Sequence, residues 1–257
     1  MNSFSRPAWV PRLEDGTRLL IVGASGGLGK ALTAMILEGS SQVLVGAHGA
    51  TNLPENDDIR LLPFQHTFSG EADCVALVDD FVGKAGGIDA LVCLSGGIHF
   101  SGHWKDMPED LWRRDIEVNL NQPFFLARAA MKLMRSQGTG GRILLNGTES
   151  ALHGGSATSF PYAVAKRGTE CMVQGLAREG APHGILVNGI RLGCITSGFH
   201  QRWHGKTPDE MEERFQLVPL KRGGHPDEAA ALMIWLISAW SQFMTGQMVA
   251  LTGGDWL

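Results

Sequence analysis

Short apolar runs alternate with longer stretches of mixed polarity along this chain of 257 residues. The runs are continuous and rich in β-branched side chains, a pattern typical of strands buried on both faces. Seven strands are predicted, at Leu19–Val22, Val43–Val45, Leu61–Phe64, Ala90–Leu94, Ile143–Leu145, Leu186–Ile190 and Met248–Leu251. Five helices are predicted between them, at Leu28–Glu38, Ala72–Gly83, Pro108–Arg135, Pro161–Arg178 and Asp227–Ile237.

This alternation predicts an α/β fold, a doubly wound parallel sheet of about seven strands with helices on both faces. Nothing in the composition indicates a linker, so residues 1–257 are expected to form a single domain. Residues 197–219 lie between a strand and the last helix, and they carry His200, Trp203 and His204. They form either a lid over a site or a packed surface excursion.

Charge and composition narrow the range of partners. The net charge is −4 and no basic stripe occurs, so nucleic acid is not an expected partner. No apolar run approaches the roughly 20 residues of a membrane helix, and Met1–Leu13 has the features of neither a secretory signal nor a membrane anchor. Charged residues make up only 19%, below the average of about 25%. This favours a homo-oligomer, a tetramer or a dimer, that buries extra apolar surface.

The four cysteines include no CxxC pair, and several of them occur in apolar runs. Buried free thiols of this kind are typical of proteins in a reducing compartment. A cytoplasmic location is therefore expected.

A glycine-rich turn follows the first predicted strand. Gly23, Gly27 and Gly29 are its spaced glycines. In such a turn the first glycine permits a tight bend, the second lets the backbone approach a pyrophosphate, and the third allows the helix to pack on the sheet. The helix that follows offers free N–H groups and a partial positive charge to phosphates. The turn therefore predicts a dinucleotide-binding site.

Tyr162, the only tyrosine of the chain, lies four residues before Lys166 at the start of a predicted helix. Residues four apart share a helix face, so the ammonium is expected close to the phenol. A free tyrosine has a pKa of about 10, and a neighbouring cation lowers that pKa. Tyr162 could then donate a proton to a carbonyl oxygen or accept one from an alcohol.

The spacing GxxxGxG of the turn and the YxxxK spacing of Tyr162 and Lys166 resemble the short-chain dehydrogenase/reductase (SDR) family, over nearly the whole chain. The resemblance implies a single-domain, Rossmann-like, NAD(P)-binding oxidoreductase in which Lys166 also holds the nicotinamide ribose. The coenzyme contacts that it implies are Gly23, Ser25, Gly27, Leu28, Gly29, His48, Ser95, Gly96, Tyr162, Lys166, Ile195 and Ser197.

The same resemblance implies two further catalytic residues. The run Gly141–Ser150 is similar to the family's segment at the end of the fifth strand, where Thr148 takes the place of a serine. A threonine hydroxyl can make the same hydrogen bond to a substrate oxygen. Ser150, two residues further on, is the rival candidate. Asn119 corresponds to an asparagine that bends a helix and holds a water bound to the lysine.

The position that selects the coenzyme departs from the NAD pattern. Enzymes that use NAD usually carry an acidic residue at the end of the second strand, where it hydrogen-bonds the ribose 2′-hydroxyl. Ala47 stands there in this chain, and the next residue, His48, could act as the basic residue of an NADP site. NADP(H) is therefore preferred weakly over NAD(H). A solvent-exposed His48 without a role is the competing interpretation.

Histidine and aromatic side chains near the expected pocket mouth could bind a ring or a polyhydroxy compound. The residues expected at the substrate are His99, His153 and Trp203. Two histidine pairs have the four-residue spacing of helical metal ligands, but no third ligand completes a zinc pattern, so no metal is expected. The expected partner is a small-molecule carbonyl or alcohol.

The leading hypothesis is an oxidoreductase that transfers a hydride between NADP(H) and a ketone or secondary alcohol, with Tyr162 and Lys166 as the general acid/base pair. The alternative is a non-catalytic dinucleotide-binding sensor or scaffold on the same fold. Departures from the family pattern at Cys93, Leu94 and His66 keep that alternative open. A third hypothesis is an enzyme of the family that acts on activated sugars or acyl-carrier substrates.

Overall fold

A computed structural model of the chain describes residues 4–49, 53 and 57–255. One sheet holds seven strands, and each neighbouring pair is parallel. The strands are β1 (Arg18–Val22), β2 (Leu44–Gly49), β3 (Leu61–Gln65), β4 (Ala90–Cys93), β5 (Gly141–Thr148), β6 (Ile185–Leu192) and β7 (Met248–Leu251). The prediction of a doubly wound parallel sheet is confirmed, with strand ends that shift by a few residues.

The order of the strands places a crevice at one edge of the sheet. The order is β3-β2-β1-β4-β5-β6-β7, so the chain builds outward from β1 and then crosses back to add β4 on the other side. β1 and β4 therefore mark the topological switch point, where ligands of such sheets bind outside the carboxyl ends of the strands.

Helices cover both faces of the sheet. They are α1 (Gly27–Gly39), α2 (Glu71–Ala85), α3 (Glu109–Ile116), α4 (Gln122–Gln137), α5 (Phe160–Gly180), α6 (Phe199–His204), α7 (Pro208–Leu217) and α8 (Pro226–Ile237). The single helix predicted at Pro108–Arg135 is instead α3 and α4, joined by a π-helical turn at Glu117–Asn121. Such turns inside helices often occur at functional sites.

Strand β1 shows how the sheet divides the core. Leu19 and Ile21 pack on one face, and Leu20 and Val22 pack on the other, because successive side chains of a strand point to opposite sides. The first face contacts α1 and α8, and the second contacts α2, α4 and α5. With both faces buried, a polar ligand has access to β1 only at its carboxyl end.

The segment 197–219, predicted as a lid or a surface excursion, folds into α6 and α7. Of the four free cysteines, Cys74, Cys93 and Cys194 are buried as predicted, whereas Cys171 is exposed. Met1 to Ser3, part of the segment expected to lack a leader or anchor, lie outside the described residues. None of the helices that the structure describes is long and apolar enough to span a membrane.

Candidate active site

The turn after β1 brings backbone rather than side chains to the switch point. Gly23 has a φ of +92°, which side chains disfavour, and a β-carbon there would lie 2.7 Å from the backbone nitrogen of Ser95. A β-carbon at Gly27 would overlap the carbonyl oxygen of Ser197. No side chain caps α1, which follows Gly26, so its first N–H groups are open to an anion.

This turn forms one wall of a cavity of about 280 Å³, called here the glycine-turn cavity. The predicted coenzyme contacts that line it are Gly23, Ser25, Gly27, Leu28, Gly29, His48, Ser95, Gly96 and Ser197. The predicted contacts Tyr162 and Ile195 line a second cavity beside it. Lys166 lies next to both, because a β-carbon at Gly96 would be 3.4 Å from its Nζ atom.

Polar atoms without partners belong to three residues that line the glycine-turn cavity. Ser95 Oγ, His48 Nδ1 and Gln122 Nε2 are buried and have no hydrogen-bond partner among the described residues. Buried polar atoms are normally satisfied, so these three indicate a polar ligand. Together with the open helix N-terminus, they fit a nicotinamide dinucleotide, which carries phosphates, ribose hydroxyls and a base.

His48 does not have the properties that the sequence suggested. Its side chain is only 4% exposed, stacks on Phe68 with ring centroids 4.6 Å apart, and places Nε2 3.1 Å from the carbonyl oxygen of His66. Burial lowers the pKa of His48 to about 4, so the ring is neutral at pH 7. A buried, neutral imidazole does not support the predicted basic group for a 2′-phosphate, and the exposed-histidine alternative is wrong.

Ala47 also occupies a different place from the one expected. It is fully buried among the apolar residues that contact α1 and α8, whereas His48, one residue on, lines the glycine-turn cavity. The alternation of side chains along β2 explains the difference. His48 and Gly49 are thus the residues of β2 that line this cavity.

Tyr162, Lys166 and Thr148 meet at the ends of α5 and β5. Tyr162 is 7% exposed, and the Thr148 side chain lies near enough to lower the pKa of its phenol. Lys166, 1% exposed, places Nζ 5.7 Å from the centre of the tyrosine ring and donates to the carbonyl oxygen of Asn146 at 3.0 Å. The Thr148 contact favours Thr148 over Ser150 as the partner of the phenol.

Burial dominates the titration of this pair. Burial raises the pKa of the Tyr162 phenol, and the neighbouring Thr148 side chain opposes the rise only in part. It lowers the pKa of the Lys166 ammonium to about 8. The lowered phenol pKa expected from the sequence is therefore absent in the protein alone, where the ammonium bonds to a backbone carbonyl. In this state Tyr162 is a proton donor.

Asn119 lies in the π-helical turn and is fully buried. Its amide nitrogen donates to the carbonyl oxygens of Gly97 at 2.8 Å and Asp115 at 2.9 Å, and its amide oxygen accepts from the Gly97 nitrogen at 3.1 Å. The side chain thus fixes the loop after β4. Its proposed part in holding a water at Lys166 stays a prediction.

The second cavity, called here the lid cavity, has a volume of about 730 Å³. Thr148, Ser150 and Tyr162 line it beside β5 and α5, and α6 and α7 form its other walls. His153, predicted at the substrate, lines this cavity. The two cavities share Leu28, Leu94, Gly96, Ser197 and Phe199 as walls.

Two of the predicted substrate residues lie elsewhere. His99 and Trp203 line the glycine-turn cavity, not the lid cavity, and their rings are 5.2 Å apart. The Trp203 ring covers Gly97, where a β-carbon would approach it to 2.6 Å. Since Phe199 also contacts the Tyr162 ring at 5.7 Å between centroids, α6 lies across the junction of both cavities.

Sequence reasoning did not identify the pair of His99 and Asp115. The imidazole Nδ1 lies 2.7 Å from a carboxylate oxygen of Asp115, which also accepts from the His99 backbone nitrogen at 2.9 Å. Asp115 is fully buried. An acidic residue one helical turn before Asn119 was the signal available in the sequence. In the described parts of the chain, no group of side chains could hold a metal ion.

Comparison with known proteins adds relatives of similar length. A family model described as enoyl-(acyl carrier protein) reductase matches residues 47–255. The L-rhamnose 1-dehydrogenase (NAD(P)(+)) of Azotobacter vinelandii is 28% identical and aligns over 92% of this chain and 95% of its own. The cyclic-di-GMP-binding biofilm dispersal mediator protein of Escherichia coli is 29% identical and aligns over 93% of this chain and 96% of its own.

A solved structure agrees with these matches. A short-chain type dehydrogenase/reductase from Mycobacterium marinum superimposes with a TM-score of 0.82 at 28% identity, over 94% of this chain and 96% of its own. The fold, the glycine turn and these relatives define the class, an NAD(P)-dependent oxidoreductase with a Rossmann-like fold. The chain belongs to the short-chain dehydrogenase/reductase family.

Proposed function

We propose that the chain transfers a hydride between a nicotinamide coenzyme and a ketone or secondary alcohol, with Tyr162 as general acid/base. The observation that carries the proposal is the position of this phenol. It is buried, lies near the Thr148 side chain, and is in the wall of the lid cavity next to the residues of the glycine turn. A substrate in the lid cavity can therefore reach the phenol and the coenzyme together.

In the reductive direction, Tyr162 donates its proton to the carbonyl oxygen as that oxygen becomes an alkoxide. Thr148 orients the oxygen through its hydroxyl. Lys166 supplies a positive charge that stabilises the phenolate left behind, and with Asn119 it takes part in replacing the proton. The coenzyme, when bound, supplies the hydride, and it takes one up in the reverse direction.

The glycine turn, Ser25, Ser95 and Ser197 would hold the coenzyme, together with Ile195 at the nicotinamide end and Lys166 at its ribose. The predicted preference for NADP(H) over NAD(H) rested on a missing carboxylate and on a cationic His48. Only the missing carboxylate remains as support, because the buried imidazole is neutral.

The residues that line the lid cavity also indicate a class of substrate. Hydroxyl side chains of Ser150, Ser156 and Thr158 line it together with the imidazoles of His153 and His200. Such groups donate and accept hydrogen bonds, which suits a small polyhydroxy compound, and the charged residues Lys206, Glu210, Glu213 and Arg214 line the same cavity. The relative from Azotobacter vinelandii is named for the sugar L-rhamnose.

The test is turnover of nicotinamide absorbance with a panel of ketones, secondary alcohols and sugars, for the wild type and for Tyr162→Phe. We expect turnover with at least one member of the panel. Loss of general acid/base catalysis should lower kcat of the variant by about 10²–10⁴-fold, while the variant still binds the coenzyme. Equal rates for the two proteins would contradict the proposal.

The second candidate is a non-catalytic dinucleotide-binding sensor or scaffold. The specific observation in its favour is the relative from Escherichia coli, which is named for binding cyclic-di-GMP and for biofilm dispersal. The buried tyrosine and lysine argue for the enzyme, since a sensor needs no such pair. Binding of a nucleotide without turnover of any compound in the panel would favour the sensor.

Three further predictions accompany this function: a single domain with 197–219 as its lid, a cytoplasmic location, and a homo-oligomer, either a tetramer or a dimer. Large apolar side chains on the surface support the oligomer, because Trp240 is 83% exposed and Leu217 is 71% exposed. Exposed apolar surface of this kind often marks a contact between proteins. Light scattering on the purified protein distinguishes a tetramer or dimer from a monomer.

A further inference from the structure

The His48 ring is held in one orientation by its neighbours. It stacks on the ring of Phe68 with an angle of 18° between the planes, and its Nε2 atom lies 3.1 Å from the carbonyl oxygen of His66. Both contacts come from the segment that follows β3, next to β2 in the sheet. His48 itself lines the glycine-turn cavity, and its second ring nitrogen, Nδ1, is buried.

The carbonyl contact fixes which nitrogen carries the hydrogen. A carbonyl oxygen can only accept, so Nε2 must donate, and a neutral imidazole has a single N–H group. The ring is neutral because burial lowers the pKa of His48 to about 4. Nδ1 is therefore an acceptor. It is buried and has no hydrogen-bond partner among the described residues.

We propose that His48 Nδ1 accepts a hydrogen bond from the adenosine ribose hydroxyl of the coenzyme, so that the protein selects NAD(H) over NADP(H). The inference rests on the proposed function. In NAD enzymes a carboxylate at the end of the second strand accepts this bond from the 2′-hydroxyl, and a bare imidazole nitrogen can take its place. This reverses the preference predicted from the sequence, which treated His48 as a cation.

This position is unfavourable for the 2′-phosphate of NADP(H). Its oxygens are acceptors with negative charge and need donors or cations, whereas Nδ1 offers only a lone pair. The sequence contains no lysine or arginine between Lys30 and Arg60. Arg60 is itself bound to Asp58 and to the carbonyl oxygen of Leu37, so the segment after β2 brings no available cation.

Two arginines do line the same cavity, Arg114 on α3 and Arg202 on α6. Both are exposed, and they reach the cavity from the helices rather than from the segment after β2. If they bound a 2′-phosphate, the protein would favour NADPH in spite of His48. The choice between the two coenzymes therefore tests whether His48 or these arginines determine specificity.

The experiment measures the Kd of NADH and of NADPH by quenching of tryptophan fluorescence, so it needs no substrate. We expect the wild type to bind NADH about 10-fold more tightly. His48→Phe keeps a ring that can stack on Phe68 but removes the acceptor. It should weaken NADH binding by about 10-fold and leave NADPH binding nearly unchanged. His48→Asn is the matched control, because its amide oxygen can occupy the position of Nδ1 and should retain most of the affinity for NADH.

A coenzyme analogue that lacks the 2′-hydroxyl donor completes a double-mutant cycle with His48→Phe. NADH with a 2′-deoxyadenosine half should bind the wild type about 10-fold more weakly than NADH, whereas His48→Phe should bind both equally. If His48→Phe does not fold, the affinities of the wild type for NADH and for the deoxy analogue are sufficient to test the inference. Equal affinity of the wild type for NADH and its deoxy analogue, tighter binding of NADPH, or an equal loss of both coenzymes in His48→Phe would each overturn the inference. Failure of the wild type to bind either coenzyme would instead contradict the proposed function.

Discussion

The glycine-turn cavity and the lid cavity share Gly96 and Ser197 as walls, yet different groups face the ligand in each. In the first, glycines bring the backbone close and α1 presents free N–H groups. In the second, hydroxyls and imidazoles come from α5, α6 and the segment after β5. The first cavity therefore depends on positions where no side chain fits, and the second depends on which side chains are present.

Under the proposed function, this difference explains why the glycine-turn cavity can bind a coenzyme that many proteins share, whereas the lid cavity can be specific for one substrate. Backbone N–H groups exist in every sequence, so a glycine spacing is enough to build a phosphate cradle. Side chains such as Ser150, His153 and His204 carry no fixed spacing and can change without disturbing the sheet. Substitutions at the glycine-turn cavity should accordingly change coenzyme affinity, and substitutions at the lid cavity should change the kinetic constants.

The largest effect is expected at the glycine turn, from Gly27→Ala. The added carbon would overlap the carbonyl oxygen of Ser197, and backbone cannot move aside as a flexible side chain can. We expect coenzyme affinity to fall by about 100-fold, which corresponds to about 3 kcal/mol of overpacking. Fluorescence titration with coenzyme measures the loss.

The matched control is Gly83→Ala in α2. A β-carbon there meets nothing within 4 Å, and alanine in a helix interior should raise the free energy of unfolding by about 0.5–1 kcal/mol. Coenzyme affinity should stay at the wild-type value. Wild-type affinity in Gly27→Ala as well would mean that the backbone approach at the turn is not required.

The sequence predicted the parts of the site that depend on local spacing. Tyr162 and Lys166 share a face because they lie one helical turn apart, and Thr148 ends a strand whose apolar run is plain in the sequence. The roles of the three spaced glycines followed from their place between a predicted strand and a predicted helix. These features need only neighbours along the chain, and the structure brings Tyr162, Lys166 and Thr148 together.

The parts that were missed depend on contacts distant in sequence. His48 is buried only because Phe68 and His66 pack against it after β3. Trp203 reaches the glycine-turn cavity because α6 folds back over the loop after β4, where Gly97 leaves room for its ring. Neither the burial of an imidazole nor the path of a lid helix can be read from residue spacing.

On the lid side, substitutions at Thr148 and Ser150 separate the two candidate hydroxyls. Thr148→Ala removes the hydroxyl near Tyr162 and should lower kcat/KM by about 10–100-fold, the cost of leaving a buried polar group unpaired. Thr148→Ser retains the hydroxyl and should stay within a few-fold of wild type. Steady-state kinetics on the best substrate of the panel gives both values.

Ser150→Ala is the comparison that decides the assignment. Ser150 lines the lid cavity, so it can influence the KM of a substrate, but its removal should leave kcat close to wild type. A fall in kcat that exceeds that of Thr148→Ala would assign the role to Ser150. Coenzyme affinity should not change in any of these variants, since neither residue lines the glycine-turn cavity.

The smallest expected effect is a change of stability with pH, and it comes from Lys166, where the two cavities meet. Its folded pKa is about 8, below the ordinary value of 10.5. Between these values the unfolded chain binds a proton that the folded chain does not, so the free energy of unfolding rises with pH. The Lys166 contribution should rise by about 1 kcal/mol between pH 8 and pH 9. Burial raises the thiol pKa of Cys74 and of Cys93, which acts in the opposite direction above pH 9.

Urea unfolding of the wild type and of Lys166→Met at both pH values isolates the lysine, because the thiols are common to the two proteins. The difference in unfolding free energy between wild type and variant should move in favour of the wild type as the pH rises. The ammonium donates to the carbonyl oxygen of Asn146, and burial is the main cause of its lowered pKa, so burial is the cause to be tested. A difference that is independent of pH would mean that burial does not lower the pKa of Lys166 in the folded protein.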